Sequence, residues 1–184
     1  MMELKKYFFI TMRLLLLLIV PTVCQADTGA VEKVGGTIPV IHKIFVTEER
    51  RPELFSSVTS EDLHNGFKEI NKEMVTLTVL ANAPWKVSAR AEFKPVDGYI
   101  KPASDLFIKI KDKTVIEEGW GTGGTFNENF VDFGALGNED RVLWIDDKSG
   151  DHCQARVYYR MLLSASKDIP GNYGVTVTYT ISTP

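Results

Sequence analysis

The sequence predicts an all-β fold, an antiparallel β-sandwich of roughly eight to ten short strands. Apolar and polar residues alternate in several short segments that are rich in Val, Ile, Thr and aromatic residues. Such a period of two is typical of strands that bury one face and expose the other. Clusters containing Gly, Pro, Asn or Asp separate these segments and favour turns. No segment shows the three-to-four-residue apolar spacing of a long amphipathic helix.

The alternation is clearest in residues 156–184, which are predicted to form a β-hairpin. Alternate residues from Val157 to Leu163 share one face of its first strand, and those from Val175 to Ile181 share one face of its second. Residues 168–174 contain Pro, Gly and Asn, which suit a turn between the two. The last strand is expected to fill its own place in the fold, without a strand donated by another subunit.

Further strands are predicted upstream of this hairpin. A short helix is indicated within residues 62–73, with a turn signal at Asn65-Gly66. Trp85 and Trp144 fall on the apolar phase of their strands and are therefore expected in the core. The predicted strands are residues 37–46 (an edge or first strand), 75–79, 85–93, 106–110, 114–117 after a turn, 125–133 and 141–145.

The N-terminus has the features of a secretory signal peptide. Basic residues precede an apolar run at residues 14–20, and Ala26 closes a segment suited to cleavage. We expect removal of residues 1–26, which leaves one β-sandwich domain of residues 27–184, exported to the periplasm, the cell surface or the extracellular space. The run is shorter than the roughly 20 residues that cross a bilayer, so no stable membrane span is expected. Met12 begins a compact signal of its own and is an alternative start.

The two cysteines raise separate questions. Cys24 would be lipidated in a lipoprotein, but Pro-Thr-Val precedes it where such signals usually carry a small residue. Cys153 is then alone in the mature chain. A buried small apolar residue is the favoured interpretation, and a handle for intermolecular pairing is the alternative.

Composition argues against several classes of function. Loss of three basic residues and one acidic residue with the signal takes the formal net charge from −3 to −5. The charges are interspersed, and no basic patch is present that would favour nucleic acid or an anionic membrane. We therefore expect no nucleic-acid partner.

The sequence does not predict an enzyme or a cofactor. His42, His64 and His152 lack the spacing of metal ligands, and each is interpreted as a surface or hydrogen-bonded histidine. No Gly-x-Ser-x-Gly motif occurs. His152 and Cys153 are neighbours on a predicted strand, so their side chains point to opposite faces and are poorly placed to act as base and nucleophile.

Two candidate ligand sites follow from the residue types. Asp146, Asp147 and Asp151 could offer carboxylates to calcium, although a hairpin between the flanking strands would also need a polar turn there. Trp120 lies in the glycine cluster of residues 119–124, which is interpreted as a loop or bulge. An aromatic ring exposed in such a loop is a candidate platform for a sugar.

Some segments resemble known families. Asp168-Ile-Pro-Gly-Asn-Tyr173 resembles the run before a late strand of immunoglobulin-like domains, in which the Tyr folds back on its corner. This resemblance implies an immunoglobulin-like β-sandwich.

The Gly-x-Tyr turn followed by a threonine-rich strand resembles the ending of bacterial exported pilin-like and spore-coat-like subunits and of WxL-type cell-wall proteins. Trp85-Lys86-Val87 resembles the first Trp-x-Leu motif and residues 171–181 the second, with Val87 and Ile181 in place of Leu and Tyr179 in place of Trp. The WxL resemblance implies attachment to peptidoglycan.

Together these features predict a non-enzymatic exported envelope or surface protein with a structural or adhesive role, such as a subunit of a surface assembly. The alternative is a carbohydrate- or cell-wall-binding module that uses Trp120. The expected partners are envelope proteins or cell-wall glycan, and a homo-oligomer is compatible with either.

Overall fold

A computed structural model describes residues 37–48, 58–69, 75–117, 121–148 and 151–184. The chain divides into two compact units, Met1–Ile38 and Pro39–Pro184, and only Thr37 and Ile38 of the first are described. The predicted signal peptide lies outside the described residues. The second unit carries all of the strands given below.

The second unit is an all-β sandwich, which confirms the predicted fold class. Every pairing between the described strands is antiparallel. One short helix, α1 (Ser60–Asn65), begins at a capping box of Thr59 and Asp62 and ends at Gly66, whose φ is 76°. The strands are β1 His42–Glu48, β2 Phe67–Glu69, β3 Val75–Ala81, β4 Trp85–Phe93, β5 Leu106–Val115, β6 Thr125–Phe126, β7 Gly134–Ala135, β8 Arg141–Asp146, β9 Asp151–Leu162 and β10 Val175–Ser182.

Two sheets enclose one core. The larger sheet has the order β1-β3-β9-β5-β7, with β2 also beside β9, and the smaller has the order β10-β4-β8-β6. Alternate residues of β3, β5 and β9 face alternate residues of β4 and β8. Trp85 and Trp144 are fully buried, as predicted, and their rings meet edge to face with centroids 4.9 Å apart.

The predicted C-terminal hairpin is wrong. β9 lies in the larger sheet between β3 and β5, whereas β10 pairs with β4 in the smaller sheet along its whole length. The alternation shows which face of a strand is buried but does not name its neighbour. The connecting residues 163–174 are more numerous than the two to five of a typical hairpin loop, and they cross from one sheet to the other. The link between β8 and β9 also crosses between sheets, so the hairpin predicted there is wrong too.

Two more predicted elements differ from the structure. Residues 125–133 do not form one strand: β6 stops at Phe126, and Glu128–Phe130 is a 3₁₀ turn before β7. The Asn127 side chain accepts a hydrogen bond from the Asn129 N–H and donates one to the Val142 carbonyl, which redirects the chain. The turn predicted at Asp112-Lys113 is a β-bulge within the continuous β5, where Asp112 has a φ of 56°.

A buried lysine holds the crossover before β10. The Lys101 ammonium lies 2.7 and 2.8 Å from the two carboxylate oxygens of Asp168. Asp168 also accepts hydrogen bonds from the Ser164 N–H and the Tyr99 hydroxyl. The Tyr173 hydroxyl donates to the Ile169 carbonyl at 2.6 Å, so the tyrosine folds back on its corner.

Candidate functional site

Two buried carboxyl groups face each other where the chain crosses from β8 to β9. Asp146 ends β8 and is 4% exposed, and Asp151 begins β9 and is fully buried. Their side chains are hydrogen-bonded to each other. Asp151 also accepts hydrogen bonds from Trp85 Nε1 at 2.8 Å and from the Gly123 N–H at 2.9 Å. The pair therefore joins β4, β8, β9 and the glycine-containing loop.

The loop of residues 121–124 folds over this carboxyl pair. Gly123 and Gly124 are buried and have φ values of 71° and 61°. A Cβ atom at Gly124 would lie 2.5 Å from the Ile145 carbonyl oxygen, so this position requires glycine. Trp144 Nε1 donates to the Gly123 carbonyl at 2.8 Å, and the Lys113 ammonium donates to the Gly124 carbonyl. These contacts hold the loop against the core.

The two carboxyl groups have opposite pKa shifts. Burial raises the pKa of Asp151, and the hydrogen bond and charge of Asp146 raise it further. Burial also opposes ionisation of Asp146, but hydrogen bonds from Asp151, the Lys148 N–H and Gly124 outweigh it and lower its pKa. The environment therefore favours ionisation of Asp146 and opposes ionisation of Asp151, as expected for two adjacent carboxyl groups that interact.

Cys153 lies beside this pair and is buried. Its thiol is fully buried, and burial together with the Asp151 and Asp146 carboxyl groups raises its pKa to about 12. A thiol in this state is a poor nucleophile. The interpretation of Cys153 as a buried apolar residue agrees with the structure. His152 points to the other face of β9 and lies 3.3 Å from Glu117.

The structure brings together only two of the three predicted calcium ligands. Asp146 and Asp151 face the interior and bind protein donors, whereas Asp147 is exposed. Within the described ranges, no group of three or more His, Cys, Asp or Glu side chains is arranged to hold a metal ion. Trp120, the predicted ligand-binding residue, lies outside the described residues.

A second candidate site is the edge of the larger sheet at β1. In the part of the chain that the structure describes, β1 pairs with β3 alone. Phe45 is 52% exposed and Val46 is 47% exposed, and Val40 just before the strand is exposed as well. The opposite edge is β7, which has only two residues. A long apolar edge presents unpaired backbone groups and readily pairs with another strand.

His42 adds an unsatisfied group to this edge. Its Nε2 atom is buried and has no hydrogen-bond partner among the residues that the structure describes. The interpretation of every histidine as exposed or hydrogen-bonded is therefore wrong for this atom. Such an orphan is uncommon and carries a desolvation cost.

The outer face of the larger sheet carries basic and aromatic side chains. The Arg160 guanidinium lies 4.0 Å from the Phe133 ring centroid and 4.8 Å from that of Phe67. Lys109 lies 4.7 Å from the Phe133 centroid. Carboxylates of the same chain form ion pairs with these cations. The aromatic and basic side chains therefore mainly pack over the outer face of the sheet. The ion pairs are Arg160–Glu69, Lys109–Asp132, and Asp112 with Lys111 and Arg156.

A polar hollow of about 240 Å³ opens beside the bulge of β5. Asp112, Thr114, Gln154 and Arg156 contribute to its walls. It is smaller than the roughly 300–1,000 Å³ of most small-molecule sites and has few apolar walls. The hollow therefore offers little to an organic ligand.

None of the described helices is long and apolar enough to cross a membrane. No model of a known protein family matches the chain, and no curated protein matches it either.

Proposed function

We propose that this protein is a non-enzymatic, exported structural or adhesive component of the cell envelope or surface, and that it self-associates through the β1 edge. The observation that carries the proposal is the seven-residue edge strand with exposed Phe45 and Val46. The predicted signal peptide supports an exported location.

Burial of this edge would be favourable. Complete burial of one large apolar side chain contributes about 1.5–3 kcal/mol, and Phe45 and Val46 each leave about half of their surface in water. A second strand would also satisfy the backbone N–H and C=O groups on the open side of β1. These gains oppose the entropy lost on association.

Light scattering on residues 27–184 over a range of protein concentrations tests the proposal. The unmodified domain is expected to form oligomers that increase with concentration, and Phe45→Lys is expected to be monomeric. Ile100→Lys is the matched control, because Ile100 is 60% exposed but lies outside any strand. Circular dichroism checks that each variant is folded. A monomer at every concentration, or equal association of the two variants, would contradict the proposal.

The second candidate function is a carbohydrate- or cell-wall-binding module using Trp120. The residues that directly follow it, Gly121 and Thr122, are exposed, and the next two are held by the core. Retention of residues 27–184 on isolated peptidoglycan and cell-wall polysaccharide, lost with Trp120→Ala, would support this function. Trp85→Phe serves as a control, because it alters a buried tryptophan and leaves the loop sequence intact.

A further inference from the structure

We propose that two copies of this chain pair β1 with β1 in an antiparallel register centred on Phe45, which joins their larger sheets into one continuous sheet. This inference rests on the proposed self-association and adds the strand with which β1 pairs, the register of the pairing and the number of copies.

The faces of β1 restrict the register. Ile44 lies opposite Val79 of β3 and Val46 opposite Leu77, so both belong to the inner face. Lys43, Phe45 and Thr47 belong to the outer face. If one strand slid along the other by one residue, inner side chains would lie opposite outer ones. A slide of two residues keeps the faces aligned and moves the centre of the pairing by one residue.

Among the aligned registers, the one centred on Phe45 uses the whole strand. It pairs all seven residues of His42–Glu48, whereas centring on Ile44 or Val46 pairs five. Centring on Lys43 sets two lysines directly opposite each other, which is unfavourable. The register centred on Phe45 is therefore the most complete one and opposes no like charges.

The cross-strand pairs in this register are complementary. Phe45 faces Phe45 of the second copy on the outer face, and aromatic pairs stabilise cross-strand contacts. Ile44 lies opposite Val46 of the second copy, and Lys43 lies opposite its Thr47. His42 takes the position opposite residue 48 of the second copy.

The symmetry limits the assembly to two copies. A contact of β1 with itself is isologous, so it uses the same edge on both copies and closes. Pairing of β1 with the other long edge, β10, would instead be heterologous and would continue to larger species. The size of the oligomer therefore distinguishes the two contacts.

Disulfide crosslinking of residues 27–184 under mild oxidation tests the register. Directly opposed residues have Cα atoms about 4.5–5.5 Å apart, within the span that a disulfide bridges. Phe45→Cys is expected to form a disulfide-linked dimer at least tenfold faster than the exposed control Ile100→Cys. Reductant is expected to cleave this crosslink. A mixture of Lys43→Cys and Thr47→Cys is expected to crosslink while each variant alone does not, and it leaves Phe45 intact. The native Cys153 is buried and takes no part.

The outcomes separate this inference from the proposed function. Oligomers in which neither Phe45→Cys nor the Lys43→Cys and Thr47→Cys mixture crosslinks faster than Ile100→Cys would overturn the register and leave self-association standing. Species larger than two copies in light scattering would overturn the isologous contact. A monomer at every concentration would overturn both. Rapid crosslinking together with a dimer mass supports the inference.

Discussion

Lys101 and Asp168 form a buried ion pair that joins the segment before β5 to the crossover before β10. The Lys101 side chain is 1% exposed, and its ammonium also lies 3.1 Å from Asp105. Because Asp168 binds Ser164 and Tyr99 as well, the pair anchors a connection of twelve residues without regular structure. The anchored segment leads into β10, which pairs with β4.

Asp168→Asn is expected to destabilise the domain by about 3 kcal/mol, because among the described residues it leaves only Asp105 as a counter-charge to a buried ammonium. Urea unfolding measures the change. Asp132→Asn is the matched control: Asp132 is 92% exposed and 3.7 Å from Lys109, so its loss should change stability by less than about 0.5 kcal/mol. Similar losses in the two variants would contradict an anchoring role for Asp168.

The Asp146–Asp151 pair predicts two opposite pH dependences. The folded pKa of Asp151 is raised, so it keeps its proton when the unfolded chain loses one, and it destabilises the fold as pH rises above about 4. Asp151→Asn, which stays neutral, should therefore gain stability relative to the unmodified domain between pH 4 and pH 8. Urea unfolding across this range measures the difference.

Asp146→Asn should show the opposite trend. The folded pKa of Asp146 is lowered, so the unmodified domain loses the contribution of this carboxylate as pH falls below about 4. The variant has no carboxylate to protonate at this position. Its deficit in unfolding free energy relative to the unmodified domain should therefore become smaller as the pH falls. Stability curves of both variants that run parallel to that of the unmodified domain would contradict the two opposite pKa shifts.

The sequence predicted the two-sheet sandwich, because alternation records which side chains are buried. Trp85 and Trp144 are predicted in the core for this reason, and both are fully buried. Cys153 was expected to be buried because free cysteine is among the most buried residue types, and it is fully buried too. Strand partners were not predictable in the same way. β8, β9 and β10 follow one another with turn-like links, yet each link changes sheet. Local patterns do not record whether a turn joins neighbours in one sheet or crosses the core.

The candidate sites were less predictable than the fold. Lys101 and Asp151 are charged residue types that are seldom fully buried, and only their three-dimensional partners explain their positions. The pairing of Asp146 with Asp151 could be suspected from spacing, but its burial under residues 121–124 could not. Residues 37–46 were predicted as an edge or first strand, and β1 is an edge strand. The apolar/polar alternation did not predict that the Phe45 side chain would be exposed.

Trp85→Phe is expected to cost about 1–3 kcal/mol. The phenyl ring keeps most of the packing against Trp144, but Asp151 loses the hydrogen bond from the indole N–H in a buried setting. Tyr158→Phe is the control, because it removes a hydrogen bond to Asp112 at an exposed site and should change stability by less than about 0.5 kcal/mol. Urea unfolding followed by circular dichroism compares the two variants. Equal losses would mean that the indole hydrogen bond contributes no more than a surface one.

The Cys153 thiol is expected to be unreactive in the folded domain. With a pKa of about 12, roughly one thiol in ten thousand is ionised at pH 8, and the fully buried sulfur is also closed to reagents. A disulfide reagent such as DTNB should therefore modify residues 27–184 at least a hundredfold faster in concentrated urea than in buffer. The labelling rate in buffer should follow the unfolding equilibrium, so the destabilised Asp168→Asn should react faster than Asp132→Asn. Rapid labelling of the folded domain, equal in both variants, would contradict a buried thiol and reopen intermolecular pairing through Cys153.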